Sequence, residues 1–335
     1  MWFWGMERVV HVLGRYKMSR WFVVAGILSG FTTLKKHLFF LLFILLCASA
    51  SAQAALPVVE LPAIVPDSLW QPLRETIDDS LQKRLEAKLN KNKTWMGLIK
   101  KKQMAVGLVD MTDPENPRFA RVNGLSMMYA ASLPKIAILL AAFVAIEEGR
   151  LKETPEVVKD MNIMIRKSSN TAATRMIDRV GGIDSVNAVM MDPRYELYDQ
   201  SLGGGLWVGK RYAKSGAIHR DPLKSISHGA SVTQVCRFYY LMATGRLVNP
   251  ERSLEMLKIM SDPGIHHKFV HSLEEVAPTA TLYRKSGTWQ RWHADSVLVW
   301  GKQWRRYILV GMVEDPRGGL ILEQLVKSVE EVLGH

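Results

Sequence analysis

The sequence predicts an α/β fold in which an antiparallel sheet is formed from both ends of the chain, with a helical cluster inserted between them. Three observations carry this. Two short strand candidates, 103–111 and 118–123, flank the turn Asp113-Pro114-Glu115-Asn116-Pro117. Three more, 280–287, 295–300 and 306–313, lie near the other end and are followed by a helical pattern from about Leu320 to Leu333. Between the two groups the apolar residues recur at helical spacings, so strands at both ends have to close one sheet around the helices.

Taken in order, the chain starts with an extension that ends in a secretory signal over residues 1–54. Lys35-Lys36 precede the apolar run Leu38–Leu46, and Ala48-Ser49-Ala50-Ser51-Ala52-Gln53-Ala54 supply small residues at A-x-A spacing. Cleavage is expected near Ala52–Ala54, giving a secreted or periplasmic protein. The alternative is an N-terminal membrane anchor, because the run from Leu38 to Leu56 is long enough to span a bilayer. Residues 55–66, with Pro57, Pro62 and Pro66, form an extended lead-in, and 67–335 form the folded domain. The net charge is +12; six Lys/Arg against Glu7 in residues 1–54 leave +7 for the remainder. A moderately basic body suits an anionic partner such as a cell-wall polymer, a membrane surface or a carboxylate substrate. No basic stripe interleaved with aromatics is present, so nucleic acid is set aside, and the membrane is expected only through the signal segment. Of the two cysteines, Cys47 falls in the signal and Cys236 in an apolar helical pattern, so no internal disulfide is expected.

A helix is expected from Ser68, with Gln71 completing a capping box. Trp70, Leu73, Ile77, Leu81, Leu85 and Leu89 then form an amphipathic stripe. Ile136 through Ile146 are apolar all round and end at Glu147-Glu148-Gly149, which predicts a buried helix. Helical patterns continue over 154–180, 231–244 and 250–261. The stretch from Gly181 to about Ala230 is less regular; Gly203-Gly204-Gly205 within it reads as a loop, without the spacing of a phosphate cradle.

Chemistry concentrates at the start of the buried helix. In Ser132-Leu133-Pro134-Lys135 the serine and lysine are three residues apart, so on a helix both lie on one face and Lys135 Nζ reaches back to Ser132 Oγ. A serine hydroxyl needs such a neighbouring base to become a nucleophile. Burial at a helix N-terminus depresses a lysine pKa and favours negative charge on a substrate oxygen. Two further motifs follow in order: Ser168-Ser169-Asn170 after the helix, and Lys285-Ser286-Gly287-Thr288 on a strand candidate.

Together these resemble the S-x-x-K, S-x-N and K-[ST]-G set of class A β-lactamases and penicillin-binding proteins, over about residues 65–335. The resemblance implies the β-lactamase/transpeptidase fold and acyl-serine chemistry on an amide. It implies Ser132 as nucleophile, Lys135 as base, Ser168 as proton relay and Lys285 as its polarising cation. Asn170 would hold a substrate amide, and Ser286 and Thr288 a substrate carboxylate. Gly287 would let substrate approach the strand edge. The oxyanion hole would be the backbone N–H groups of Ser132 and Thr288.

Departures from the pattern bear on the activity. The interval from Ser132 to Ser168 is short, and Ser169 stands where those lactamases usually carry Asp. Their R-x-E-x-x-L-N loop is matched only by Arg194-Tyr195-Glu196, so Glu196 is a candidate deacylation base without its full motif; Asp192 and Asp199 are weaker candidates. With a competent carboxylate the expected activity is that of a β-lactamase. Without one it is that of a D,D-peptidase on peptidoglycan peptides, acylated by β-lactams with slow turnover. A non-catalytic wall-peptide-binding module on the same fold is the remaining alternative. The expected substrate is a small molecule or a peptide, with a cell-wall-derived one among the options, and no cofactor or metal is called for. His219, His228, His266, His267 and His271 lack metal-ligand spacing. Arg291 and His293 are expected to line the cleft. Trp289, Trp292, Trp300 and Trp304 cluster on the C-terminal strands, as sheet-face packing or a sugar-stacking surface.

Overall fold

Strands from the two ends of the chain meet in one five-stranded antiparallel sheet, ordered β2-β1-β10-β9-β8. The computed structural model describes residues 60–302 and 304–334. The signal segment over 1–54, with Cys47 and the Ala52–Ala54 cleavage region, lies outside the described residues. The strands are β1 (Met104–Asp110), β2 (Arg118–Val122), β8 (Thr281–Trp289), β9 (Trp292–Trp300) and β10 (Arg306–Glu314). Met104 faces Val313 across the β1–β10 seam, and Lys285 faces Ser296 across β8–β9. Every residue of β1 is buried, as befits a central strand covered on both faces.

Helices cover both faces. On one side pack α1 (Asp79–Asn90), α2 (Lys93–Lys100), α9 (Phe269–Val276) and α10 (Gly318–Gly334). Leu81, Leu85 and Leu89 interdigitate there with Leu322, Leu325 and Val329. On the other lies the inserted cluster: α3 (Lys135–Glu147), α4 (Pro155–Arg166), α5 (Asn170–Arg179), α6 (Ile183–Met191), α7 (Val232–Ala243) and α8 (Pro250–Met260). Eleven consecutive residues of α3, Lys135 to Ala145, are buried, because neighbouring helices and the sheet surround it. Cys236 on α7 is a free, fully buried thiol. Two small sheets join the cluster: β3 (Met128–Tyr129) with β7 (His228–Ala230) and β6 (Trp207–Val208), and β4 (Tyr198–Asp199) with β5 (Gly204–Gly205). No helix among the described residues is long and apolar enough to cross a membrane.

Two local expectations change. The helix expected from Ser68 starts instead at Asp79, where Asp78 accepts from the Leu81 N–H at 2.6 Å. Pro72 lacks the N–H a continuous helix needs, and only a 3-10 turn, Leu73–Glu75, follows it. Trp70 is half-buried by another route, stacked on Tyr240 at 6.0 Å with the Arg246 guanidinium over its face. The pattern over 154–180 divides into α4 and α5, broken at Ser168, whose φ of 54° no helix interior accepts.

Candidate functional site

The site is built where α3, the α4–α5 break and β8 converge. Ser132 sits in the turn that leads into α3, next to Ala131 at φ 50°. Two non-glycine residues in the left-handed region, Ala131 and Ser168, therefore flank the cleft, a strain of about 1–3 kcal/mol each that a packed surround must hold.

Lys135 is the hub. It is fully buried, and its Nζ lies 3.1 Å from Ser132 Oγ, 2.6 Å from the Ser168 carbonyl and 2.7 Å from Asn170 Oδ1. Burial pushes its pKa down to about 7. A neutral amine has two N–H bonds and one lone pair. The two carbonyl oxygens accept both N–H bonds, which leaves the lone pair for Ser132 Oγ. The left-handed turn at Ser168 is what brings its carbonyl into that position. Ser169 plays a local part, capping α5 by accepting from the Ala172 N–H.

Lys285, also buried, donates to Ser168 Oγ at 2.9 Å and to the Ser286 carbonyl at 2.6 Å. Ser168 Oγ thus lies between two lysines, 3.4 Å from Lys135 Nζ. Burial first, and then the charge of Lys135, hold Lys285 well below the usual lysine range. Gly287 is pressed against the turn that carries Ser132. A Cβ placed there would meet the Ala130 carbonyl at 2.1 Å and the Ser132 backbone nitrogen at 2.8 Å, so no side chain fits.

Ser286 Oγ is 3.4 Å from His267 Nε2, and burial lowers His267 to about 4, so the ring is neutral at pH 7. Thr288 Oγ1 does not stand free: it accepts from Lys268 Nζ at 2.8 Å. Lys268, at φ 55° just before α9, is buried and also donates to the carbonyls of Gly287 (2.8 Å) and Ala294 (3.1 Å). Behind it Arg284 and Asp295 form a fully buried bidentate pair at 2.7 and 2.8 Å. Arg284 also donates to the carbonyls of Ile265 and His267, tying the loop that carries Lys268 to β8.

The carboxylates are elsewhere. Glu196, at φ 49°, lies 3.3 Å from Arg237 and 3.6 Å from Arg74. Asp192 is bound by Arg194, and Asp199 accepts from the N–H and hydroxyl of Ser201. None of the three bonds to Ser132, Lys135, Ser168 or Lys285. Beside Lys135 stands Tyr212, its ring centroid 4.5 Å from Nζ. Tyr212 stacks flat on His228 at 4.3 Å and donates to the Ala131 carbonyl at 3.1 Å. Both aromatic residues flank the irregular stretch between β6 and β7. His293, expected in the cleft, instead packs its ring against Gly318 at the start of α10. Among the described residues, no three His, Cys, Asp or Glu side chains gather as a metal-holding group.

With this geometry in view, residues 154–331, more than half of the chain, match the model of the beta-lactamase enzyme family. The chain belongs to that family. The match takes in Ser168, Asn170 and Lys285-Ser286-Gly287-Thr288; Ser132 and Lys135 precede it. Among solved structures, PBP-A is 19% identical and superposes with a TM-score of 0.56, covering 77% of this chain and 97% of its own. A PBP-A mutant captured as the acyl-enzyme with penicillin G is 20% identical, with a TM-score of 0.57 over 79% of this chain and 99% of its own. A β-lactamase from Sphaerobacter thermophilus is 16% identical, with a TM-score of 0.56 over 75% and 95%. At these identities the likeness is one of fold. No curated protein sequence matches the chain.

Within this family member, Lys268, Tyr212, His228 and the Arg284–Asp295 pair are site residues that sequence reasoning missed. Arg284 offered one signal, a second cation beside Lys285 on a strand candidate. Tyr212 offered none.

Proposed function

We propose that the protein is an acyl-serine enzyme of the D,D-peptidase kind, acting on amides of peptidoglycan-type peptides and acylated by β-lactams that it releases slowly. The observation that carries this reading is the surround of Lys135: four oxygen partners, an aromatic face and, among the described residues, no carboxylate. Neutral Lys135 takes the Ser132 proton as Oγ attacks the amide carbonyl. The backbone N–H groups of Ser132 and Thr288 hold the oxyanion, with Gly287 letting the Ser132 turn and β8 lie close. As the C–N bond breaks, the proton on Lys135 passes through Ser168 Oγ to the departing nitrogen, leaving an ester on Ser132 and a neutral amine. Lys285 holds Ser168 in line, and a substrate carboxylate beside Ser286 stabilises its charged form.

Hydrolysis of the ester needs a base for water, and Lys135 is the nearest one. A class A-type lactamase assigns that step to a carboxylate; here Glu196 is held by two arginines. The signal-like segment supports export to the periplasm, where wall peptides are found.

The test is intact mass over time after mixing with penicillin, beside Ser132→Ala. A lasting adduct on wild type alone is the expected result. Consumed penicillin without an adduct would establish a lactamase instead, and neither adduct nor consumption would leave a binding module.

A further inference from the structure

Away from the catalytic cleft, a pocket of about 350 Å³ opens between the 3-10 turn at Leu73, the end of β2, the Glu196–Leu202 segment and the start of α7. Its polar lining is Arg74, Arg121, Arg237, Glu75, Glu196, Thr233 and Gln234; Leu73, Leu125 and Leu202 supply the apolar part. Two of its features are unbalanced. Arg74 and Arg237 share Glu196, but Arg121 has no carboxylate partner among the described residues. Its side-chain contact with a hydrogen-bond acceptor is a long one, 3.4 Å to Thr233 Oγ1, while burial lowers its pKa. A half-buried guanidinium held only by this long bond and the Phe119 ring, 6.0 Å away, still has room for an anion. Gln234 is only 2% exposed, and its Oε1 has no hydrogen-bond partner. A buried acceptor left unmade costs about 1–3 kcal/mol, which a ligand N–H that reaches Gln234 Oε1 relieves.

We propose that this pocket binds a small amide-bearing carboxylate with an aliphatic side chain, of the N-acyl amino acid class. The carboxylate pairs with Arg121, the amide N–H donates to Gln234 Oε1, and the aliphatic group lies among the three leucines. Glu196 opposes the carboxylate, so it weakens binding while keeping Arg74 and Arg237 in place. The volume fits a small ligand and is at the lower end of the usual range. The site is independent of the acyl-serine reading.

The test is calorimetry of the full chain with N-acetyl-L-leucine, N-acetyl-L-leucinamide and 4-methylpentanoate. N-acetyl-L-leucine should bind saturably, and loss of its carboxylate in the amide should weaken binding at least about 10-fold, the scale of one charge-assisted contact. Loss of the N–H in 4-methylpentanoate should weaken it several-fold. Arg121→Gln should reproduce the first loss and Gln234→Leu the second. Glu196→Gln should tighten binding about threefold, a gain that a misfolded variant cannot give. Lys285→Met, in the catalytic cleft, should leave the affinity unchanged. No saturable binding, an unaltered affinity in both Arg121→Gln and Glu196→Gln, or binding abolished by Lys285→Met would each overturn the proposal.

Discussion

Tyr212 presents its ring to Lys135, with the centroid 4.5 Å from Nζ. An aromatic face attracts a cation but cannot take a proton from water, so this side of Lys135 offers no general base. Tyr212→Glu supplies the missing group. A carboxylate there should also raise the Lys135 pKa above its present value of about 7. The penicillin adduct should clear at least about 10-fold faster in Tyr212→Glu, within the range of general-base catalysis. Tyr212→Phe, which loses only the bond to the Ala131 carbonyl, should leave the adduct lifetime within about threefold. Adduct decay followed by mass spectrometry separates the two. An equal lifetime in wild type and Tyr212→Glu would place the limiting step elsewhere.

The depressed pKa of Lys135 predicts two pH dependences of the same sign. Only the neutral amine can take the Ser132 proton, so acylation should rise as pH passes through about 7. Stability follows the same direction. The folded state releases the Lys135 proton near 7, whereas the unfolded chain keeps it to about 10.5, so the unfolded state binds more protons between those values. Stability should therefore increase with pH over that window, as the penalty for burying the charged amine is relieved. Urea titrations at pH 7 and 9 check this, and Lys135→Met should flatten the slope.

The fold and the cleft differ in how far the sequence discloses them. A period-two strand or a 3.6-period helix is a local pattern, so the five strands of the sheet and α3, α7, α8 and α10 could be anticipated. The proximity of Ser132 and Lys135 is likewise local, a matter of one helical turn. Lys268 is different. It is a single lysine in a loop, and its importance comes from three acceptors on β8 and β9 that only the folded sheet brings to it. Tyr212 sits in a stretch without periodicity, and the partners of Glu196, Arg74 and Arg237, come from distant parts of the chain. The helix expected at Ser68 failed for a local reason, Pro72, while Trp70, counted in its apolar stripe, packs instead on Tyr240 with Arg246 over its face.

The Arg284–Asp295 pair makes a stability prediction. Both side chains are essentially inaccessible, and the pair is bidentate. Arg284→Met leaves Asp295 buried without its cation and should cost about 3–5 kcal/mol in urea unfolding. Arg284→Lys should recover little, because an ammonium cannot bridge both carboxylate oxygens and still reach the carbonyls of Ile265 and His267. Full recovery by lysine would mean that charge, not the planar fork, holds the loop.

Lys268 links that loop to the reaction. Its ammonium donates to the Gly287 carbonyl and to Thr288 Oγ1, on the strand whose Thr288 N–H is proposed to hold the oxyanion. It touches no reacting atom, so it acts as a positioning residue. Lys268→Met is unbranched and fills similar space, but it removes the hydrogen bonds that the Gly287 and Ala294 carbonyls and the Thr288 hydroxyl receive from the ammonium. The oxyanion hole should then sit less firmly, and such a hole stabilises the transition state more than the bound substrate. The maximal acylation rate should fall about 10-fold or more, with a much smaller change in the penicillin concentration giving half-maximal rate. Burial sets Lys268 near pKa 8, so wild type should also lose acylation rate at high pH as this amine deprotonates. Lys268→Arg, with a charge that persists at high pH, should retain part of the rate and lose that alkaline decline. A fall in apparent affinity with an unchanged maximal rate would instead assign Lys268 to substrate binding.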